Sequence, residues 1–249
     1  MPAEYHLPPK FIFTVLSAIT INARRSFRSD AGLALTGNHP FIKVFGKENI
    51  PTKGPCLILM NHYSHEGYIP MWSAFSITSL LPMESRWMMT YAWTSPNVTW
   101  DWFKRRLTRI VFTAICRVYG FIPMPPMPPD PREVTERTIA IRTLMALVRQ
   151  RLPIALGMAP EGRDYPGALL GWPPSGMGRL LGQISPFFEC IIPVGVYEEN
   201  DQQVIHFGQK FNINVKTYST KEEEDKEISL NVMRLIAKLL PEKLRGKFG

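Results

Sequence analysis

The stretch from Leu57 to Pro70, LILMNHYSHEGYIP, decides the fold of this chain. It begins with four apolar residues and then stops at the polar pair Asn61-His62, a pattern typical of a buried strand that ends abruptly. Ser64 follows in a position suited to capping a helix. Because open α/β sheets place their chemistry at the carboxyl ends of buried strands, His62 is the first candidate for a catalytic residue. An imidazole can take a proton from a substrate hydroxyl when a third group holds its other nitrogen.

A second apolar run, residues 153–158, also ends in a polar turn, Ala-Pro-Glu-Gly-Arg at residues 159–163. Gly162 allows the backbone to turn close to a ligand, and the planar guanidinium of Arg163 suits a phosphate. Glu161 is placed to hydrogen-bond substrate hydroxyls or to orient that guanidinium. Pro-Glu-Gly alone is a common turn, but here it ends a strand about 100 residues after Asn-His ends another. The sequence therefore predicts one groove that both strand-end loops face.

These two stretches resemble the first and third motifs of the glycerolipid (lysophospholipid) acyltransferase family, Asn-His-x-Ser-x-x-Asp and Phe-Pro-Glu-Gly-Thr-Arg-Ser. The matching residues are Asn61, His62, Ser64, Pro160, Glu161 and Gly162. The resemblance extends over roughly residues 36–246, with the motifs in the family's order. It implies an α/β fold, a single mixed sheet flanked by helices. It also implies an acyltransferase that moves a fatty acyl group from acyl-CoA or acyl-carrier protein to a hydroxyl of a lysophospholipid or related glycerolipid, with His62 as the general base.

The residue that orients the catalytic His departs from the family pattern. In the family this residue is an Asp, and the chain has Gly67 at that position. Glu66 comes one residue earlier, with a side chain one methylene longer. Because residues three and four apart face each other on a helical turn, we predict that Glu66 orients His62. The loss of the Asp also favours an alternative, a non-catalytic protein of the same fold that binds lipids or acyl thioesters.

The resemblance also implies which residues bind the acceptor. The family's second motif, Gly-x-Ile-x-x-x-Arg, is matched at Gly120, but its Arg position falls near Pro126. Arg179 stands where the family has Lys or Arg before a Gly-rich helix start, and helix N-termini favour phosphate. The predicted substrate-binding residues are Asn61, Ser64, Gly120, Pro160, Glu161, Gly162, Arg163 and Arg179.

The order His62-x-x-His65-Glu66 raises another alternative, a metal-dependent hydrolase. Zinc-binding helices of hydrolases use His-Glu-x-x-His or His-x-x-Glu-His, and this order is neither. We predict no metal and no redox cofactor, because a thioester donor already carries an activated acyl group.

Charge and composition limit the class of partner. The 29 basic and 21 acidic residues give a net charge of +8, which predicts an anionic partner. The basic residues are scattered without interleaved aromatic residues, so nucleic acid is disfavoured. The hydrophobic fraction of 45% is that of a globular protein and excludes a multi-span membrane protein.

Residues 11–23 carry no charge and lie directly before the pair Arg24-Arg25. This run is too short to span a bilayer, which needs about 20 residues as a helix. We predict a membrane-associating helical segment at residues 1–35, in front of an acyltransferase-like domain at residues 36–249. A core-packing helix is the alternative, and the arginines after the run argue against a signal peptide. Together with the positive charge, this segment predicts a cytoplasmic protein attached peripherally to an anionic membrane surface.

The other apolar runs predict further elements of an α/β domain. Helices are predicted at residues 71–81, 101–118, 132–151 and from 221 onward, with a short helix near 179–181. Strands are predicted near residues 41–45, 87–91, 119–124, 190–197, 204–208 and 211–215. The proline-rich stretch 123–131 must be extended, and its methionines suit the rim of an acyl-chain site.

Overall fold

The chain folds around one sheet, which a computed structural model describes through residues 5–36, 41–90, 102–125, 131–213 and 218–249. Within these ranges the sheet has seven strands, β1 (Ile42–Phe45), β2 (Cys56–Met60), β3 (Ser85–Thr90), β4 (Ile122–Met124), β5 (Ala155–Met158), β6 (Cys190–Glu199) and β7 (Gln202–Phe207). Residues 126–130, most of the proline-rich stretch and the position of the second-motif Arg, lie outside the described ranges.

The strands run in the order β1-β7-β6-β2-β5-β3-β4. The β6–β7 hairpin is antiparallel, and every other neighbouring pair is parallel. Its turn uses Asn200 and Asp201 with positive φ, the backbone that a tight two-residue hairpin requires. The predicted mixed sheet is therefore confirmed.

The helices of the described ranges cover this sheet. They are α1 (Pro9–Thr20), α2 (Phe27–Ala34), α3 (Pro70–Leu80), α4 (Trp102–Tyr119), α5 (Val134–Arg149), α6 (Met177–Ile184) and α7 (Lys221–Ala237). Helix α6 packs closely on α7 because Gly178 has no side chain, and a Cβ there would lie 2.1 Å from the Asp225 carbonyl oxygen. None of the helices in the described part of the chain is both long and apolar enough to cross a bilayer.

Strand β2 is the centre of the sheet, and all five of its residues are buried. It pairs with β5 on one side and β6 on the other, and its apolar sequence is what a strand covered on both faces requires. The register sets Leu59 beside Met158 of β5. The carboxyl ends of β2 and β5 are therefore adjacent, which fixes where the polar residues after each strand emerge.

The N-terminal residues form two helices, of which the sequence predicted one. Helix α1 matches the predicted apolar segment, and α2 follows it after a short loop. Ser26 caps α2 by accepting a hydrogen bond from the Ser29 N–H. Phe27 is buried in the core and stacks on Phe75 of α3, so α2 packs against the sheet domain. This short helix has few apolar residues, so a search for long apolar runs does not find it.

Two local predictions are wrong. Ser64 does not cap a helix, because α3 begins at Pro70 after a loop. Residues 211–213 do not form a strand, and Phe211 makes only a single bridge to Ile191; residues 214–217 lie outside the described ranges.

Candidate active site

His62 lies at the carboxyl edge of the sheet, just beyond β2. The loop after β5 leaves the sheet beside it. The backbone N–H of His62 donates to Glu161 Oε2 at 2.5 Å, so the two strand-end loops meet.

The His62 ring has one enclosed nitrogen and one free nitrogen. Nδ1 is buried and lies 3.0 Å from Asp164 Oδ1. This is a hydrogen-bonding distance, but the N–H direction is not aligned with the oxygen, so Nδ1 makes no formed hydrogen bond. No residue in the described ranges hydrogen-bonds to Nε2. Catalytic hydrogen bonds are often poorly aligned before substrate binds.

Asp164 is the carboxylate beside that buried nitrogen. Burial raises its pKa, but the adjacent His62 imidazole and the Ser64 hydroxyl together lower it by more. The net result is a pKa below the ordinary Asp value, so Asp164 is ionised at neutral pH. Ser64, predicted to bind substrate, lines the neighbouring cavity.

Glu161 connects the loop after β2 with the chain around Gly171. Its side chain is buried, with Oε2 accepting the His62 N–H and Oε1 accepting the Gly171 N–H at 2.7 Å. Burial raises the pKa of Glu161 to about 7, against the opposing effect of these two backbone hydrogen bonds. Both Glu161 oxygens bind backbone N–H groups, so its side chain connects the two loops, and its contact with substrate stays a prediction.

Asn61 is also a structural residue. Its side-chain nitrogen donates to the Val196 carbonyl at 2.8 Å, and its side-chain oxygen accepts the Val196 N–H at 2.7 Å. The amide thus extends the pairing of β2 with β6 by one step beyond the strand. Asn61 is buried and does not line the cavity, so its contact with substrate stays a prediction without support from the geometry.

Glu66 is not placed as the sequence predicted. Residues 65–68 form a tight turn in which the backbones of His65 and Tyr68 exchange hydrogen bonds of 3.2 and 3.0 Å. Gly67 has φ of +86° at its tip, a conformation that favours glycine. There is no helical turn to bring Glu66 over His62, and the Glu66 side chain is exposed. Asp164, from the other motif, lies beside the ring instead.

A cavity of about 540 Å³ opens beside His62. Its walls are mainly apolar and come from both sides of the sheet edge. The apolar lining includes Met60, Met71, Trp87, Met88, Met89, Phe112, Phe121, Met124, Ile141 and Met158. Trp87 lies against Gly157 of β5, where a Cβ would be 2.3 Å from the indole ring. His62 and an apolar wall suited to a hydrocarbon chain therefore line the same cavity.

Three arginines, Arg137, Arg163 and Arg179, supply positive charge to the cavity lining. The Arg163 guanidinium stacks over the Tyr165 ring at 4.7 Å and donates to its hydroxyl at 3.0 Å. Gly162, with φ of +64°, lines the cavity next to it. The predicted residues Gly162, Arg163 and Arg179 therefore face one space.

The amino end of α6 is not open to a phosphate. Asp225 of α7 accepts the backbone N–H groups of Gly176 and Arg179 at 2.7 and 3.1 Å. The carboxylate therefore takes the place that the sequence assigned to a substrate phosphate. Arg179 can contact an anion through its side chain, not through the helix terminus.

Two further predicted residues, Pro160 and Gly120, do not themselves line the cavity. Pro160 is buried and does not line it. Gly120 precedes β4, so it is at the opposite end of the strands, beside the guanidinium groups of Arg24 and Arg86. Substrate contacts at these two positions stay predictions that the cavity lining does not support.

His65 belongs to a separate cluster. Its Nδ1 faces the Glu66 carbonyl oxygen at 2.7 Å and its Nε2 contacts the Glu198 carboxylate. Glu198 also accepts the Tyr5 hydroxyl at 2.7 Å. His62 and His65 thus bind different carboxylates, and the described residues contain no cluster of three ligand side chains that could hold a metal ion.

Sequence reasoning missed Asp164 and Gly171. Asp164 directly follows the Pro-Glu-Gly-Arg turn, and that position beside a strand end was the signal available for it. Gly171 carries no motif signal. It is required because a Cβ there would lie 1.9 Å from the Tyr165 ring, and because its N–H binds Glu161.

Comparison with known proteins identifies the family and supports the fold. The family described as Acyltransferase matches residues 41–197. The crystal structure of the 1-acyl-sn-glycerophosphate (LPA) acyltransferase PlsC from Thermotoga maritima is similar, with a TM-score of 0.52 and 12% sequence identity over 92% of this chain and 80% of that chain. No curated protein matches the sequence.

Proposed function

Because the chain belongs to the Acyltransferase family, we propose that it transfers a fatty acyl group from a thioester donor, acyl-CoA or acyl-carrier protein, to a hydroxyl of a lysophospholipid or related glycerolipid. The observation that carries this proposal is the His62 ring, whose Nε2 is free beside an apolar cavity lined by three arginines. An acyl chain needs the apolar wall, and an anionic headgroup needs the cations.

His62 acts as the general base in this reaction. Its Nε2 takes the proton of the acceptor hydroxyl as the oxygen attacks the thioester carbonyl carbon. The C–S bond then breaks, and the thiolate leaves with that proton. The products are an ester and a free thiol. No cofactor takes part, because the acyl donor is a substrate.

Gly162, Arg163 and Arg179 are the acceptor-binding residues in this proposal. Both arginines line the cavity, and a guanidinium binds a phosphate through two parallel hydrogen bonds. Gly162 lets the backbone turn next to them without a side chain in the way.

We also infer that the protein attaches peripherally to an anionic membrane, on the cytoplasmic side. Helices α1 and α4 pack against each other, and each carries large exposed apolar side chains. These are Ile12, Phe13 and Leu16 on α1, and Leu107, Ile110 and Val111 on α4. Arg25 forms a two-bond ion pair with Asp30, at 2.6 and 2.7 Å. Of the pair Arg24-Arg25, we therefore assign the lipid headgroup contact to Arg24.

Sedimentation with vesicles containing phosphatidylglycerol tests the membrane proposal. We expect the variant Phe13→Ser/Leu16→Ser to lose most of its binding, because it removes apolar area from the α1 surface. Phe41→Ser is the matched control, since Phe41 is 71% exposed and Phe13 is 74% exposed, but Phe41 lies next to the edge strand β1. Equal binding by both variants would contradict attachment through α1.

Thiol release from a panel of acyl-CoA and acyl-carrier-protein donors, with and without lyso-acceptors, tests the proposed reaction. We expect acceptor-dependent release and a new ester detected by mass spectrometry. Lipid binding without any release would favour the non-catalytic alternative. The absence of Asp at position 67 suggested that alternative, and Asp164 beside His62 now weakens the case for it.

A further inference from the structure

We propose that Asp164 is the positioning residue that orients His62, so that the pair is assembled from the two strand-end loops and not from one motif. This inference rests on the proposed acyl transfer. It assigns to Asp164 the role that the sequence gave to Glu66, and it accounts for the chain's loss of an acidic residue at position 67.

The first argument is the enclosed ring nitrogen of His62. A neutral imidazole carries one proton, and a carboxylate beside one nitrogen draws that proton to it. Asp164 Oδ1 lies 3.0 Å from the buried Nδ1, which has no other hydrogen-bond partner in the described ranges. With the proton on Nδ1, the lone pair is on Nε2, where a base needs it.

The second argument is the state of Asp164 itself. Its lowered pKa keeps it charged at neutral pH, so it faces the His62 ring as a carboxylate. Ser64 and His62 come from the same loop after β2. The Ser64 hydroxyl contributes to the lowered pKa of Asp164, and His62 Nδ1 lies 3.0 Å from the charged carboxylate.

The third argument is that the neighbouring acidic candidates do not reach the ring. Glu66 is exposed in the turn at residues 65–68. A Cβ placed on Gly67 would have no atom within 4 Å, so an Asp at this position would project into open space. Glu161 touches the His62 backbone but has both oxygens bound to N–H groups.

The exchange of charges between the motifs agrees with this assignment. Where the resembled family has Asp in its first motif, this chain has Gly67. Where the family has Arg in its third motif, this chain has Asp164. The acidic group is thus removed from one strand-end loop and supplied by the other, at the point where the two loops meet.

The experiment compares Asp164→Asn, Asp164→Glu and Asp164→Asn/Gly67→Asp in the acyl transfer assay, with Glu66→Gln as the matched carboxylate-to-amide control. We expect Asp164→Asn to lower kcat by about 10- to 1,000-fold, with the acceptor KM and the melting temperature little changed. Asp164→Glu should restore part of kcat. Adding Asp at position 67 should restore nothing, and Glu66→Gln should retain wild-type kcat. Wild-type kcat in Asp164→Asn, rescue by Gly67→Asp, or an equal loss in Glu66→Gln would overturn the proposal.

A second readout separates this inference from the proposed function. Two-bond 1H–15N spectra of histidine-labelled protein report which ring nitrogen carries the proton, and His62→Gln identifies the signal. We expect His62 to be protonated on Nδ1 in the wild type and to lose that preference in Asp164→Asn. A wild-type His62 protonated on Nε2 would overturn the inference. Protonation on Nδ1 in a chain that transfers no acyl group would retain the pair and reject the function.

Discussion

The loop after β2 holds two histidines that each contact a carboxylate, His62 with Asp164 and His65 with Glu198. At His65 both ring nitrogens face oxygen acceptors, and the ring packs edge-on against Tyr63 at 5.5 Å between ring centres. At His62 only Nδ1 faces a carboxylate, and the ring lines the cavity. The two pairs are close in sequence and differ in what remains available for chemistry.

The difference shows that a carboxylate beside a histidine does not by itself indicate a catalytic pair. A general base needs one nitrogen that is held and one that is free to reach substrate. Both ring nitrogens of His65 are bound, so we assign His65 a structural role. It links the turn at residues 65–68 to Glu198, which also binds the Tyr5 hydroxyl. His62 has a ring nitrogen, Nε2, without a hydrogen-bond partner in the described ranges, so the role of general base is assigned to His62.

The largest effect is expected at His62. His62→Gln should lower kcat by about 10²- to 10⁴-fold, because a positioned general base contributes that much. The backbone N–H that binds Glu161 is retained in this variant, so its melting temperature should stay near that of the wild type. Steady-state kinetics and thermal unfolding check both statements. A fully active His62→Gln would remove the distinction between the two histidines.

The next effect concerns Glu161, the buried carboxylate in the loop after β5 that binds the backbone of His62. Glu161→Gln leaves at least one of the N–H groups of His62 and Gly171 facing an amide NH2, which should cost about 1–3 kcal/mol of the free energy of unfolding. Urea unfolding measures this cost, with exposed Glu66→Gln as the control. A cost no larger than that of the control would mean that Glu161 does not connect the loops.

The stability difference between the wild type and Glu161→Gln should also depend on pH. Because the pKa of Glu161 is raised to about 7 in the folded chain, the folded state keeps a proton that the unfolded chain releases above its ordinary pKa of 4.5. Wild-type stability from this group therefore falls as the pH rises from about 4.5 towards 7. Glu161→Gln lacks this dependence, so the difference in the free energy of unfolding between the wild type and Glu161→Gln should become smaller over that range. A difference that stays constant from pH 5 to pH 8 would contradict the raised pKa.

A smaller effect is expected for the arginines that line the cavity beside His62. Arg179→Gln should raise the acceptor KM about tenfold with kcat little changed, because a charged hydrogen bond to a phosphate contributes at least about 1.4 kcal/mol. Arg149→Gln, at the exposed carboxyl end of α5, is the control. An unchanged KM with lysophosphatidic acid would assign the headgroup to other residues.

The smallest effect is expected at the second histidine. His65→Gln should change kcat by no more than about twofold, since a base would contribute far more. It should lower the free energy of unfolding by about 1 kcal/mol, because the contact with Glu198 is partly replaced. Kinetics and urea unfolding of the same preparation give both values. A loss of kcat as large as that in His62→Gln would mean that the two pairs act together.

Most of the fold was predictable because it depends on local periodicity. The local pattern of apolar residues predicts the bounds of several elements to within a few residues. These are strands β2, β5 and β6 and the amphipathic helices α5 and α7. The meeting of the two motif loops also followed, since parallel strands end at one edge of a sheet.

The details of the site were less predictable because they depend on contacts between distant segments. Glu66 was misplaced because a helical turn was assumed where Gly67 forms a tight turn. Asp164 was missed because its partner, His62, comes from a different strand end. The phosphate site predicted at the start of α6 is filled by Asp225, which sequence spacing assigned only to its own helix α7.

The most direct test is a crystal structure with a thioether analogue of acyl-CoA and a lysophospholipid acceptor. The account predicts the acyl chain in the cavity and the acceptor hydroxyl oxygen within about 3.2 Å of His62 Nε2, with Asp164 aligned on Nδ1. An acceptor hydroxyl out of reach of His62, or an acyl chain bound outside the cavity, would contradict the assignment of His62 as the base.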